Sequence, residues 1–186
     1  MGTGAARARA WLGSAVFLLI APGTIAGLLP ILIARGDARV APPARALVVG
    51  GWLLVVSAGL ALLESFARFA WRGLGTPAPI LPTRHLVVSG LYRHVRNPMY
   101  IAVLTVIVGQ AMRLGSPAVG GYGVLVALGF HGFVVLYEEP TLRATHGASF
   151  VAYCTNVRRW RPRLRPWMPS ADAPATPGTP AAGRSR

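Results

Sequence analysis

Residues Trp11–Ile33, WLGSAVFLLIAPGTIAGLLPILI, run for 23 positions without a charged side chain. Coiled as a helix, such a run is about 34 Å long at 1.5 Å per residue, enough to cross the hydrocarbon core of a bilayer. Pro22 and Pro30 interrupt it, and membrane helices tolerate proline where neighbours satisfy the freed backbone groups. Arg7 and Arg9 precede the run, as they would in a secretory signal. The run is longer than a signal's apolar core, and no small-residue cleavage site with a polar mature start follows it. A retained first span is expected.

Three further spans follow the same logic. The segment 34–45 carries Arg35, Asp37, Arg39 and the pair Pro42-Pro43 and reads as a loop. A second span is expected over about 46–66, with Trp52 and Trp71 as interfacial anchors. Glu64, one turn before Arg68, is either its i,i+4 partner or a functional carboxylate. Residues 67–97 contain too many prolines and glycines for a continuous helix. So long a connection in so small a protein points to function. Pro98 suits the first turn of a third span, about 98–112. The short turn Arg113-Leu114-Gly115-Ser116-Pro117 makes it an antiparallel hairpin with a fourth, about 118–137. Beyond the fourth, Leu142, His146, Phe150, Tyr153 and Val157 recur at helical spacing, the signature of an amphipathic helix. The fold class expected is therefore an all-α integral membrane protein of about four transmembrane helices, one domain over 1–165. From Pro166 the composition (Pro, Ala, Gly, Ser, Thr) predicts a disordered tail, 166–186.

Composition agrees with this reading. Apolar residues make up 53% of the chain and mean hydropathy is +0.50, high for a soluble domain. The formal charge of +14 comes wholly from arginine, since lysine is absent. In a soluble protein that charge would suggest nucleic acid. Here the arginines fall between apolar runs, which argues against a nucleic-acid partner and for cytoplasmic loops. The side holding both termini and the 67–97 loop carries 15 arginines against 4 on the other, so the termini are expected in the cytoplasm. Lack of lysine with abundant Ala, Gly, Pro and Arg points to a GC-rich, bacterial coding sequence and hence a bacterial cell membrane. Cys154 is the only cysteine, which rules out an internal disulfide or a Cys-based zinc cluster. Neither a phosphate-binding Gly loop nor HExxH occurs, and no metal is expected.

The hairpin brings two polar clusters to one end of the molecule. One is the long loop with the mouth of span three: Arg84, His85, Tyr92, His94, Arg96, Asn97 and Tyr100. The other is Glu138-Glu139, two of only five acids in the chain. Ionisable groups at the membrane boundary call for a functional hypothesis, the alternative being that the glutamates neutralise nearby arginines. His131 precedes Glu138 by seven residues and is expected to point the same way about two turns deeper. It is either a candidate base or an interior histidine bonded to a backbone carbonyl or to Gln110. Tyr92 and Tyr100 read as site residues or as belt aromatics.

The series Leu86-Val87-Val88-Ser89-Gly90-Leu91-Tyr92, Arg96-Asn97-Pro98-Met99-Tyr100, Glu138-Glu139, Leu142, Gly147, Tyr153 and Pro162 resembles the isoprenylcysteine carboxyl methyltransferase and phospholipid methyltransferase family. The resemblance covers residues 73–165. It implies a membrane methyltransferase using S-adenosylmethionine, with cofactor contacts at Arg84, His85, Leu86, Val87, Tyr92, Arg96, Asn97, Pro98, Met99 and Tyr100, and at Glu138 or Glu139. His131, Glu138 and Glu139 are then the candidates for proton transfer. The implied acceptor is lipophilic: a lipid amine, a thiol or a carboxylate. Two departures stand out. The family's common Arg-His-Pro is Arg96-Asn97-Pro98 here, and Val134 and Val135 lie where prenylcysteine enzymes carry a substrate-binding arginine. Prenylcysteine itself is therefore not implied. The competing readings are a membrane reductase using a nicotinamide cofactor such as NADPH, and a non-catalytic membrane partner.

Overall fold

A computed structural model describes residues 3–37, 42–71, 86 and 88–168, with backbone alone at 3–11, 14 and 68–71. Pro30 shapes the first span. A proline donates no hydrogen bond and its ring crowds the carbonyl four residues back. The helix responds by widening just ahead of it: α1 (Thr3–Pro22) passes through a π turn (Gly23–Leu28) into α2 (Leu29–Gly36), and the Leu29 N–H reaches Thr24 O, five residues back. Pro30 can serve neither Ile25 O nor Ala26 O. In hydrocarbon such carbonyls need another donor. The Tyr122 hydroxyl supplies Ile25 O at 2.9 Å, and the buried Gln110 amide supplies Ala26 O. The first span is thus tied by side chains to the two helices of the hairpin.

The second span, α3 (Arg45–Trp71), and the third, α4 (Pro98–Leu114), cross at Gly51 and Gly109. A Cβ on Gly51 would lie 2.5 Å from Gly109 O, and one on Gly109 2.7 Å from Gly51 O. Backbone meets backbone here, the close approach small residues permit in membrane helices. α4 ends at Gly115, whose φ of 61° is the left-handed stop. Ser116 then caps α5 (Pro117–Phe133), its hydroxyl accepting from Val119 N–H at 3.2 Å, and Asp37 accepts from Ser116 Oγ and from Ala118 N–H. The expected hairpin is formed.

α5 does not stop at the acid pair. It continues through a second π turn (Val134–Glu138) into α6 (Glu139–Asn156), where Glu139 N–H bonds Val134 O. Again the wide turn ends two residues before a proline, Pro140. Gly147, at φ 49° and ψ −125°, breaks α6. Beyond that break Phe150, Tyr153 and Val157 are buried against Leu86, Val88, Leu142 and Trp167, so the amphipathic face packs on the protein.

All described elements are helical. Three stretches, Ala15–Gly36, Arg45–Ala67 and Pro117–Asn156, are long and apolar enough to cross a membrane; α4, with 17 residues, is the shorter fourth. The core between them is Ala26, Leu62, Phe66, Ala102, Val103, Ile107 and Val119. Leu19, Leu53, Leu60, Leu125, Leu128 and Leu136 face outward, an apolar belt suited to lipid. Trp52 is exposed beneath the Arg113 guanidinium, 4.6 Å from its ring centre. The Glu64–Arg68 pairing and the tail from 169 lie outside the described side chains and residues.

Candidate active site

Where α4 begins and α5 ends, a cavity of about 310 Å³ opens. Its deeper wall is apolar, from Phe17, Ala21, Pro22 and Ile25 of the first span, Leu62 and Phe66 of α3, Val103 of α4, and Phe130 and Phe133 of α5. Its polar groups are Tyr92, Arg96, Asn97, Tyr100 and Glu138. Two aromatic pairs line it: Phe17 stacks on Phe66 with ring centres 6.1 Å apart, and Tyr100 packs on Phe130 at 4.7 Å.

The second π turn determines which glutamate enters. An inserted residue rotates everything beyond it by about 100°, one residue's share of a helical turn. Glu138 faces the cavity, and its Oε2 accepts the Tyr100 hydroxyl at 2.9 Å. Polar groups of spans three and four therefore converge. Glu139 turns away. Its Oε1 accepts from Arg96 Nη1 at 2.9 Å and Arg159 Nε at 2.7 Å, and its Oε2 accepts from Arg159 Nη2 at 2.8 Å. The bidentate Arg159 pair is the strong geometry for a guanidinium and a carboxylate, and this bond keeps the Arg159 guanidinium firmly protonated. Of the two roles open to the acids, Glu139 takes charge neutralisation. Arg96 Nη1 also lies 2.8 Å from Cys154 Sγ, while Arg96 Nε is buried with no partner among the described residues. Packing around the Tyr92 phenol, and then the nearby Glu138 carboxylate, hold its pKa well above the usual phenol range. It stays a neutral donor.

The loop before α4 is held by the chain's C-terminal stretch. Arg96 N–H bonds Arg158 O at 3.0 Å, Arg163 N–H bonds His94 O at 2.9 Å and Trp167 N–H bonds Arg93 O at 2.9 Å. Side chains add to this. Asn97 Nδ2 donates to Arg159 O at 3.3 Å, Arg93 Nε donates to Trp167 O at 2.7 Å, and His94 Nδ1 lies 2.8 Å from Arg163 O. The Tyr153 hydroxyl donates to Tyr92 O at 2.6 Å.

Of the residues singled out by sequence, Tyr92, Arg96, Asn97, Met99, Tyr100 and Glu138 line one cavity. Leu86 packs instead in the second core, and Pro98 is buried as the first residue of α4, neither lining the cavity. Arg84, His85 and Val87 lie outside the described residues. His131 does not share Glu138's direction, because the seven-residue spacing assumed an unbroken α-helix and the π turn intervenes. Its ring is exposed, and its Nδ1 accepts from Trp160 Nε1 at 3.1 Å. Gln110, its alternative partner, is engaged with Ala26 O. Arg159 and Trp160 were missed. They sit in RRWRPRLRPW, which reads by composition as interfacial charge, although two tryptophans and two prolines among the arginines signal an ordered segment.

The fold and site define a helical membrane protein with an apolar cavity capped by a carboxylate, a guanidinium and two phenols. A model of the phospholipid methyltransferase family matches residues 45–149, over half the chain, and the protein belongs to that family of methyltransferases. No curated protein and no solved structure matches it. The match takes in all of α3 and ends inside α6, short of Arg159 and Trp160.

Proposed function

We propose that the protein transfers a methyl group from S-adenosylmethionine to a lipophilic acceptor at the cytoplasmic face of the membrane. The observation that carries this reading is Glu138, a carboxylate bonded to Tyr100 at the polar mouth of an otherwise apolar cavity, in a chain of the phospholipid methyltransferase family. The lining suits the cofactor. Tyr100 meets one oxygen of Glu138, and the second suits the hydroxyl or amino donors of a nucleoside. Arg96, whose Nε has no partner among the described residues, suits a carboxylate. Tyr92 and Tyr100 offer ring faces to a base or to a cationic sulfur. When bound, the cofactor supplies an electrophilic methyl group on a sulfonium.

The remaining contribution is alignment and dryness. Tyr100, fixed between Phe130 and the Glu138 carboxylate, and Asn97, anchored to Arg159 O, set the position of the site's polar rim. Phe17, Phe66, Phe130 and Phe133 exclude water from the deeper part and suit hydrocarbon entering from the bilayer. An amine or thiol acceptor loses a proton as it is methylated, and Glu138 is the carboxylate that stands in the cavity to take it. Eight arginines among the described residues, at 93, 96, 143, 158, 159, 161, 163 and 165, lie in the segments around this mouth. That bias supports a cytoplasmic orientation.

The test is equilibrium binding of S-adenosylmethionine to the detergent-purified chain, beside Glu138→Ala and with NADPH as comparator. Saturable binding that weakens at least tenfold in the variant is expected, followed by transfer of labelled methyl into lipid extract. A folded protein that binds NADPH and not S-adenosylmethionine overturns the reading in favour of a reductase.

A further inference from the structure

The C-terminal stretch Val157–Trp167 lies beyond the family match, yet it meets the cavity's polar residues from outside. Two of its side chains do so, one through an intermediary and one by direct contact. Arg159 grips both oxygens of Glu139, and the same Glu139 Oε1 holds Arg96 Nη1. Arg96 lines the cavity, while Glu139 and Arg159 do not. Trp160 packs edge-on against Tyr100, ring centres 6.4 Å apart, on a ring whose other neighbour is Phe130. Its indole N–H is in turn held by His131. Tyr100 carries the hydroxyl that meets Glu138. Two of the cavity's polar residues, Arg96 and Tyr100, are therefore each braced by one side chain of this stretch. The main-chain bonds from Arg158, Arg163 and Trp167 to the 93–96 loop keep the brace in register.

We infer that Arg159 and Trp160 are positioning residues for the proposed reaction, Arg159 acting on Arg96 through Glu139 and Trp160 acting on Tyr100 with His131 as its support. The inference rests on the methyltransferase reading for its functional consequence, but its structural content stands apart. Without Arg159, Glu139 loses its bidentate partner and samples more rotamers, so the carboxylate that holds Arg96 is less fixed, and the loss of that order appears as weaker binding of whatever Arg96 contacts. The same holds for Tyr100, whose ring keeps one packed face when Trp160 is removed. Exposed ion pairs contribute little. The Arg96–Glu139–Arg159 chain is different, being part-buried, bidentate at one end and anchored at both.

Two measurements on the full-length chain decide the matter. The first is a double-variant cycle in S-adenosylmethionine affinity. Arg159→Ala is expected to weaken binding five- to twentyfold, Arg159→Lys nearly as much because the bidentate fork is lost, and Trp160→Phe less than Trp160→Ala. If Arg159 acts through Arg96, the pair Arg96→Ala with Arg159→Ala binds no more weakly than Arg96→Ala alone; a purely structural contribution makes the two losses multiply. Multiplying losses, or unchanged affinity in Arg159→Ala, overturn the assignment. The second uses no ligand. Hydrogen exchange of the 93–97 loop is expected to speed up in Arg159→Ala while the α3–α4 core keeps its protection. If the wild type binds no S-adenosylmethionine, the methyltransferase reading falls and exchange alone judges the brace: faster loop exchange supports it, and unchanged exchange refutes it.

Discussion

Replacing Gly51 by alanine tests the geometry on which the site depends. The new Cβ would stand 2.5 Å from Gly109 O, 2.8 Å from Arg113 N and 2.9 Å from Arg113 Cβ, whereas ordinary contact begins at 3.4 Å. Backbone atoms cannot rotate aside as a side-chain tip does, so α3 and α4 must separate by about 0.9 Å. A gap of that size forfeits roughly a quarter to a half of each dispersion contact along the seam. Overpacking of this kind costs about 1–3 kcal/mol, offset by roughly 0.5–1 kcal/mol from removing glycine's backbone freedom in a helix. The net loss is about 1–2 kcal/mol. At roughly 2–4 °C per kcal/mol for a chain of this size, the thermal midpoint in detergent falls by about 2–8 °C. Gly109→Ala attacks the same contact from the other side, at 2.7 Å from Gly51 O. The double variant should therefore lose less than the two single losses combined, since the helices separate only once. Gly59→Ala and Gly120→Ala, whose Cβ positions have nothing within 4 Å, serve as controls and should melt at or slightly above the parent. A Gly51→Ala protein as stable as Gly59→Ala would show that the crossing is not close-packed and that the reasoning is wrong.

Other expectations follow from single contacts. Glu138→Gln is expected to weaken S-adenosylmethionine binding at least tenfold, and Tyr100→Phe by a smaller factor, since it removes the hydroxyl that orients the carboxylate but leaves the carboxylate itself; calorimetric titration reads both. His131→Ala should cost no more than a few-fold in the same titration, because His131 reaches the cavity only through Trp160 and Tyr100; loss of all activity with the protein folded would restore it as a base. Gln110→Leu leaves Ala26 O without its side-chain donor and should destabilise by about 1–3 kcal/mol, seen as a lower detergent melting temperature. Tyr122→Phe removes the donor to Ile25 O and should behave alike, and neutral outcomes in both would mean that the first span is not held through its π turn.

The spans and the hairpin were legible in the sequence because their signals are local. A charge-free run, a Gly-Ser-Pro turn and a proline at a helix start each act within a few residues of where they stand. The convergence of Tyr100 with Glu138 was legible for a topological reason, since antiparallel neighbours bring the start of one helix beside the end of the next. The choice between Glu138 and Glu139 was not. Adjacent helical residues point about 100° apart, so the phase of the helix decides which of the two meets Tyr100 in the cavity and which meets Arg159 outside it. That phase changes at the Val134–Glu138 π turn, which also explains His131: counting seven residues back crosses the inserted residue. Pro140 marked a disturbance in the sequence without saying whether the chain would end, kink or widen. The pairing of 93–97 with 158–167 was illegible for another reason, since irregular segments joined by main-chain bonds carry no periodicity.

The two π turns place the division between the halves of the site. Each relieves a proline inside a membrane-crossing helix, but the consequences differ. Ahead of Pro30, carbonyls that proline cannot serve become the points at which Tyr122 and Gln110 hold the first span to the hairpin. This fixes Phe17, Ala21 and Ile25 as one wall of the cavity. Ahead of Pro140, the widened turn swings Glu138 into the cavity and Glu139 out to its arginines. The polar rim from α4 and the second π turn lies within the family match, whereas the wall from the first span lies wholly before residue 45. The rim gathers the cavity's charged and hydrogen-bonding groups. The first-span wall presents only apolar surface, and within the reading proposed above that surface is where acceptors are told apart.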